Sequence, residues 1–227
     1  MDMHKPHIAD NFGRRFPYLR LSVTDVCNFR CSYCLPDGYK KSGCESFLSR
    51  EEIKRLVTAF ASLGVWKIRL TGGEPTVRPD FLEIAQDISS IDGIQKLAFT
   101  TNGYKLPERA QSYYDAGLRA INISIDSLNA GQFEVITGHN RLGEILEGMN
   151  ECFRVGFKSV KVNTVLLKGL NDAELDDFIQ FVGDKPISLR FIELMRTGEN
   201  AAYFWSHHLA GTHVTERLLA GGWRMKE

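Results

Sequence analysis

The sequence predicts an α/β protein built on a partial TIM-type barrel, six parallel strands with helices outside, and three observations predict it. Six short β-rich runs recur along the 227 residues, most of them followed by a stretch with helical spacing. Strands alternating with helices pair in parallel through right-handed crossovers, which admits an open doubly wound sheet or a full or partial barrel. Several runs also keep a polar face, whereas a sheet covered by helices on both sides reads as nearly continuous apolar runs. That pattern favours the partial barrel with a wet, ligand-sized lumen.

The first run, Tyr18–Thr24, sets Leu19, Leu21 and Val23 on one face and Arg20, Ser22 and Thr24 on the other. Ser49 with Glu52 forms a capping box before a helix over Ile53–Leu63, which Gly64 closes. The second run, Lys67–Thr71, opposes Ile68 and Leu70 to Lys67, Arg69 and Thr71, and the third, Lys96–Asn102, puts Thr100 on one face with Ala98 and Asn102. Pro107 can open a helix that ends at Gly117. The fourth run, Ala120–Asp126, sets Ile121, Ile123 and Ile125 against Asn122, Ser124 and Asp126. A helix carrying Leu146, Cys152 and Phe153 follows, closed by Gly156. The fifth run, Ser159–Leu167, places Lys161 on a face with Asn163. A helix closed by Gly183 precedes the sixth run, Ser188–Leu194. Beyond it, Arg196–Glu227 reads as loop plus one short helix, Val214–Leu219, with no closing element after Gly-Gly-Trp. The expected organisation is an extension over residues 1–15, the barrel over 16–196, and the start of a truncated C-terminal region over 197–227, where uncovered Phe204, Trp205 and Trp223 would favour association.

Lysine plus arginine and aspartate plus glutamate number 28 each, so no global field favours nucleic acid or an anionic membrane surface. Any anionic ligand must therefore be held by local basic residues. There is no signal-type apolar run and no stretch approaching the ~18 apolar residues of a spanning helix, so no membrane partner and a cytoplasmic location are expected.

Of five cysteines, three form Cys27-x3-Cys31-x2-Cys34 directly after the first strand, where a parallel barrel presents its active-site loops. Close thiolates on one loop can converge on three irons of a [4Fe-4S] cubane and leave the fourth iron open to a chelating ligand. The competing reading is zinc, which would want a fourth protein ligand such as Cys44 or a histidine. Cys44 and Cys152 otherwise read as ordinary thiols. His207, His208 and His213 are the densest histidine group, but adjacent side chains point apart, which argues against a metal there. At the end of the second strand, Thr71-Gly72-Gly73-Glu74-Pro75 brings backbone amides and carbonyls close to any neighbouring ligand.

The cysteine motif, with aromatic Tyr33 before its last cysteine, and the Gly-Gly-Glu-Pro segment resemble the radical S-adenosylmethionine superfamily. The longer strings LRLSVTDVCNFRCSYCLPDGY, RLTGGEPTVRPDF, TTNGY, INISIDSL, KVNTVLLKGLND and LRFIELM are similar to its GTP 3′,8-cyclase family, from about residue 12 onward. The resemblance implies a cluster on Cys27, Cys31 and Cys34, S-adenosylmethionine contacts at Tyr33, Gly73, Ser124 and Met195, and GTP contacts at Arg20, Arg69, Thr100 and Lys161. It also implies reductive cleavage of S-adenosylmethionine by an electron from a separate donor, and cyclisation of GTP in the first step of molybdenum cofactor biosynthesis, with a homodimer among the expected assemblies. Three cations on inward strand positions suit a triphosphate, which lysine and arginine bind by charge-assisted hydrogen bonds. Family members carry three further cysteines for a second cluster, and none of them is in this sequence. Two alternatives therefore stay open: a radical enzyme acting on another substrate, or a non-catalytic binding or scaffold protein.

Overall fold

The computed structural model describes residues 6–41, 46–183, 185–198 and 200–225. These form six strands and eight α-helices: β1 (Tyr18–Ser22), α1 (Arg50–Ser62), β2 (Lys67–Thr71), α2 (Phe81–Ser89), β3 (Lys96–Thr101), α3 (Leu106–Asp115), β4 (Ala120–Ser124), α4 (Ala130–Thr137), α5 (Leu142–Val155), β5 (Ser159–Leu166), α6 (Leu175–Gly183), β6 (Ile187–Glu193), α7 (Ala201–His207) and α8 (Gly211–Ala220). The strands make one sheet in the order β1-β2-β3-β4-β5-β6, with helices between successive strands, as expected. β1 to β4 are parallel, and their register sets Arg20 opposite Arg69, Arg69 opposite Ala98, and Thr100 opposite Asn122.

The chain divides into two compact bodies. The first comprises Met1–Asn28, Tyr39–Ile123 and Glu144–Val160. Its core is the apolar face of the strands, Leu21, Ile68, Leu70, Leu97, Phe99, Ile121 and Ile123, all buried. Phe99 is the aromatic centre, with its ring 5.8 Å from Phe81, 5.1 Å from Tyr113 and 6.4 Å from Phe157. Each fully buried ring of this size contributes about 1.5–3 kcal/mol by leaving water. The expected capping box is present: Glu52 N donates to Ser49 Oγ at 3.2 Å and Ser49 N to Glu52 Oε2 at 2.7 Å. α1 consequently begins at Arg50, ahead of the first apolar residue, because the cap and not the apolar pattern sets the start. Gly64, Gly117 and Gly156 take φ of 84°, 93° and 101°, the left-handed stop that glycine reaches without a Cβ clash.

The second body comprises Phe29–Gly38, Ser124–Gly143 and Lys161–Glu227. Alternate residues of β5 are buried, with Val162, Thr164 and Leu166 on one side and Lys161, Asn163 and Val165 on the other. One apolar cluster gathers Ile136, Leu167 and Leu194 with Tyr33, Val165, Leu170, Tyr203 and Phe204 around them. A second gathers Leu166, Leu175 and Val214.

Four sequence expectations are corrected. Residues 196–225 hold two helices, not one: α7 was not expected, and α8 runs longer than Val214–Leu219. At seven residues α7 is too short to stand by propensity, and it exists because Tyr203 and Phe204 dock on the first of those clusters. Phe204 is therefore covered, while Trp205 and Trp223 remain 71% and 57% exposed. Gly183 is the last helical residue of α6 and not a cap beyond it. β4 runs to Ser124; Ile125 N still donates to Asn163 O at 2.9 Å, and past it the Asp126 side chain takes the amide of Val165 at 2.8 Å in place of a backbone carbonyl. Cys44 lies outside the described residues. Among those residues no helix is long and apolar enough to cross a membrane.

Candidate active site

The cysteine segment belongs to both bodies: Cys27 lies in the first, and Cys31 and Cys34 lie in the second. Each half has its own supports.

In the first body the Gly-Gly-Glu segment grips the residues just before Cys27. Gly73 N donates to Thr24 O at 2.8 Å and Glu74 N to Val26 O at 2.8 Å. A Cβ on Gly72 would lie 2.3 Å from Thr24 O, and one on Gly73 would lie 2.5 Å from Asp25 O. The glycines are thus required by close packing of two backbones, and the Gly73 amide is already committed, which leaves its carbonyl as the group that can meet a ligand. Glu74 is fully buried and accepts from Thr76 N (3.1 Å), Thr76 Oγ1 (2.7 Å), Thr101 Oγ1 (2.9 Å) and Asn102 N (2.6 Å). Burial pushes its carboxyl above the usual range against those donors. Asn102 in turn donates its side-chain amide to Asn28 Oδ1 at 2.8 Å. One buried carboxylate therefore joins the ends of β2 and β3 and, through Asn102, the residue after Cys27.

In the second body the turn of Cys31 to Leu35 closes on itself, with the amides of Cys34 and Leu35 both donating to Cys31 O at 2.9 Å. Arg30 N reaches Thr137 O at 3.3 Å and Ser32 N reaches Ile136 O at 2.8 Å, which ties the segment to the end of α4. Phe29 stacks on His139 at 4.6 Å between ring centres. Tyr33, between the two cysteines, donates its hydroxyl to Asp126 Oδ2 at 2.8 Å. Asp126 is buried with no cation among its partners, so desolvation pushes its carboxyl up to about 6, partly offset by bonds from Val165 N and Tyr33. Cys34 is exposed as a residue, yet partial desolvation of its sulfur, then the Asp126 charge, raises its thiol. Burial, with Asp126 next, holds Tyr33 well above the ordinary phenol range.

The residues inferred for GTP contacts, and Ser124 and Met195 inferred for S-adenosylmethionine contacts, divide in the same way. In the first body Arg20 is exposed on β1 and faces Arg69 across the ladder. Arg69 is only 6% exposed, yet its partners are neutral: Tyr18 Oη at 2.9 Å, Phe99 O at 3.3 Å and Thr100 Oγ1 at 3.5 Å. A buried guanidinium beside a second arginine, paired with no carboxylate among the described residues, is a costly arrangement that a bound anion relieves. Thr100 is thereby joined to Arg69 directly. In the second body Lys161 and Ser124 are half-buried on β5 and β4, and Met195 is 75% exposed after β6, with its carbonyl accepting from Asn200 Nδ2 at 3.1 Å.

Other candidates separate from the site. Cys152 is buried on α5, and desolvation pushes its thiol up to about 12, so it stays protonated. His207 and His208 go to different partners, Lys168 O at 2.9 Å and Glu193 Oε1 at 2.8 Å. Among the described residues no three His, Cys, Asp or Glu side chains form a group that could hold a single metal ion. A cubane makes a different demand, since each thiolate binds its own iron, and three thiols outside any disulfide on one braced segment fit that demand. Glu74, Asn102, Asp126 and Tyr203 were not singled out from the sequence. Asp126 had a signal, an acid on the polar face of an otherwise apolar strand, whereas Tyr203 had none.

A family model described as the Radical SAM superfamily matches residues 21–182. Curated relatives named GTP 3′,8-cyclase include those of Aeromonas hydrophila subsp. hydrophila, 55% identical over 95% of this chain, Psychromonas ingrahamii, 53% over 97%, and Tolumonas auensis, 57% over 95%. The chain spans 65%, 65% and 64% of their respective lengths, just under two thirds. Among solved structures, a radical SAM methyltransferase from Sphaerobacter thermophilus aligns with a TM-score of 0.68 at 16% identity, covering 89% of this chain and 62% of that one. Streptococcus suis SuiB bound to S-adenosylmethionine aligns at 0.65 and 17% identity, covering 90% of this chain and 47% of that one. These structures share the fold, and with the family match over most of its length the chain belongs to the radical SAM superfamily, whose members pair a [4Fe-4S] cluster with S-adenosylmethionine.

Proposed function

We propose that residues 16–196 are the radical-forming core of a GTP 3′,8-cyclase, with Cys27, Cys31 and Cys34 as cluster ligands. The relatives of that name, at 53–57% identity along nearly the whole chain, support the assignment. The observation in the molecule that carries it is Arg69, a buried cation whose partners among the described residues are neutral, placed beside Arg20 on one strand face. When bound, the cluster and S-adenosylmethionine would supply, with one electron from a separate donor, the carbon radical that takes the hydrogen at C3′ of GTP, and the C3′–C8 bond that follows would need one further electron and a proton to give a closed-shell product.

The residues of this chain supply position. Arg20, Arg69 and Lys161 neutralise triphosphate oxygens, and Thr100 adds a hydroxyl fixed by the Arg69 guanidinium. The Gly73 carbonyl would accept from the methionine amino group of S-adenosylmethionine, and Tyr33, Ser124 and Met195 would be its further contacts. A separate electron donor, a cytoplasmic setting and a homodimer complete the reading, which includes neither nucleic acid nor membrane.

Replacing Arg69 with methionine keeps the apolar stem and removes the charge. Anaerobic calorimetry should show GTP bound roughly tenfold or more weakly by Arg69→Met, as expected for losing a charge-assisted bond, with guanosine binding little changed. Equal loss for guanosine and GTP would contradict the phosphate role, and tighter binding of another nucleotide by the unaltered protein would identify a different substrate.

A further inference from the structure

The cysteine turn of the second body is held by a helix that the family match does not reach. Ser32 lies between Cys31 and Cys34, and its hydroxyl meets that of Tyr203 at 2.9 Å. Tyr203 sits on α7, beyond the matched residues 21–182. α7 has its own seat in the second body. Lys168 N donates to His207 O at 2.8 Å, and the His207 ring returns a contact to Lys168 O at 2.9 Å. Tyr203 and Phe204 pack on the cluster of Ile136, Leu167 and Leu194. The Tyr203 hydroxyl is thus delivered from a fixed ring to one point.

Ser32 is held from two directions, its amide by Ile136 O on α4 and its side chain by Tyr203 on α7. Packing alone does not account for the hydroxyl, since a phenylalanine would fill the same apolar place, as neighbouring Phe204 does. We propose that Tyr203 is a positioning residue: through Ser32 its hydroxyl fixes the Cys31–Cys34 turn in the conformation that presents two thiolates to the cluster. This rests on the cluster reading above, and it adds that a contact specific to α7 tunes how the turn holds iron.

The test compares the unaltered protein with Tyr203→Phe, Ser32→Ala, the double variant and Ser32→Thr. Two readouts are taken: amide hydrogen exchange of the peptide spanning residues 31–35 in the metal-free protein, and, after anaerobic reconstitution, the rate of iron release to a chelator with the electron paramagnetic resonance spectrum of the reduced cluster. Both single variants should exchange and release iron about fivefold faster, the size of one partly buried neutral hydrogen bond. The double variant should be no worse than either single, Ser32→Thr should retain normal rates, and the g-values should shift in Tyr203→Phe while exchange in α4 stays unchanged. A Tyr203→Phe protein with normal exchange across residues 31–35 overturns the proposal. An unaltered protein that takes up no cluster overturns the cluster reading instead, and exchange in the metal-free protein then still decides whether Tyr203 fixes the turn.

Discussion

Asp126 and Glu74 are buried acids with no cation among their partners in the described residues, and each tethers one half of the cysteine segment. For Asp126 the sign of the pH effect follows from its displacement. Its pKa rises from 3.8 to about 6 on folding, so the folded state binds the proton more tightly. The contribution is most favourable below about pH 4 and is lost as pH rises through about 6, a change of about 3 kcal/mol. Urea denaturation of the metal-free protein between pH 4 and 7 should show this slope, and Asp126→Asn should flatten it; a variant with the same slope would remove Asp126 as its source. Glu74→Gln retains shape but turns one acceptor into a donor facing other donors. It should destabilise the protein by about 1–3 kcal/mol in urea and lower its iron content after reconstitution, whereas an unchanged midpoint would mean the network tolerates the exchange. The cysteine motif was legible because its spacing is itself the signal. Glu74 stood in view inside the Gly-Gly-Glu-Pro string, and Thr76 two residues on is a local partner, but its other two donors, Thr101 Oγ1 and Asn102 N, come from the end of β3, which no local pattern links to it.

At the scale of elements, the strands were legible because alternation and apolar runs are local properties, and β2 matches its expected limits residue for residue. The ends of β1 and β4 were overextended, since alternation continues past the point where the backbone leaves the ladder. α7 was missed for the opposite reason: its stability comes from docking, and no seven-residue string reports a partner some 170 positions away, as the Ser32 and Tyr203 pair are. The glycines of the β2 loop were expected to bring backbone close to a ligand, whereas the backbone they approach is the Thr24–Val26 segment. Gly73→Ala would bring a Cβ to within 2.5–2.6 Å of the Asp25 and Val26 carbonyl oxygens, so a backbone must move. The expected outcome is a loss of more than about 2 kcal/mol with reduced iron uptake, checked by thermal unfolding and iron analysis; a variant of normal stability and iron content would show that the segment yields without consequence.

For the whole molecule, the class of fold followed from the repeat of strand and helix, and the branch of chemistry followed from two short motifs. Division of the cysteine segment between two bodies was not legible, because contact density is a property of the folded chain. Within the first body Glu74 and Asn102 hold Val26 and Asn28, the residues on either side of Cys27; within the second, Asp126, α4 and α7 hold the turn of Cys31 to Cys34. A chain built in this way should generate radicals when its three cysteines hold a cluster. The decisive measurement is anaerobic iron–sulfur reconstitution followed by assay of 5′-deoxyadenosine with dithionite and S-adenosylmethionine, with and without GTP, for the unaltered protein and Cys31→Ala. Formation of 5′-deoxyadenosine that Cys31→Ala abolishes is the expected result; a fully loaded cluster that yields none would contradict the catalytic reading and leave a protein that keeps the fold as a binding scaffold.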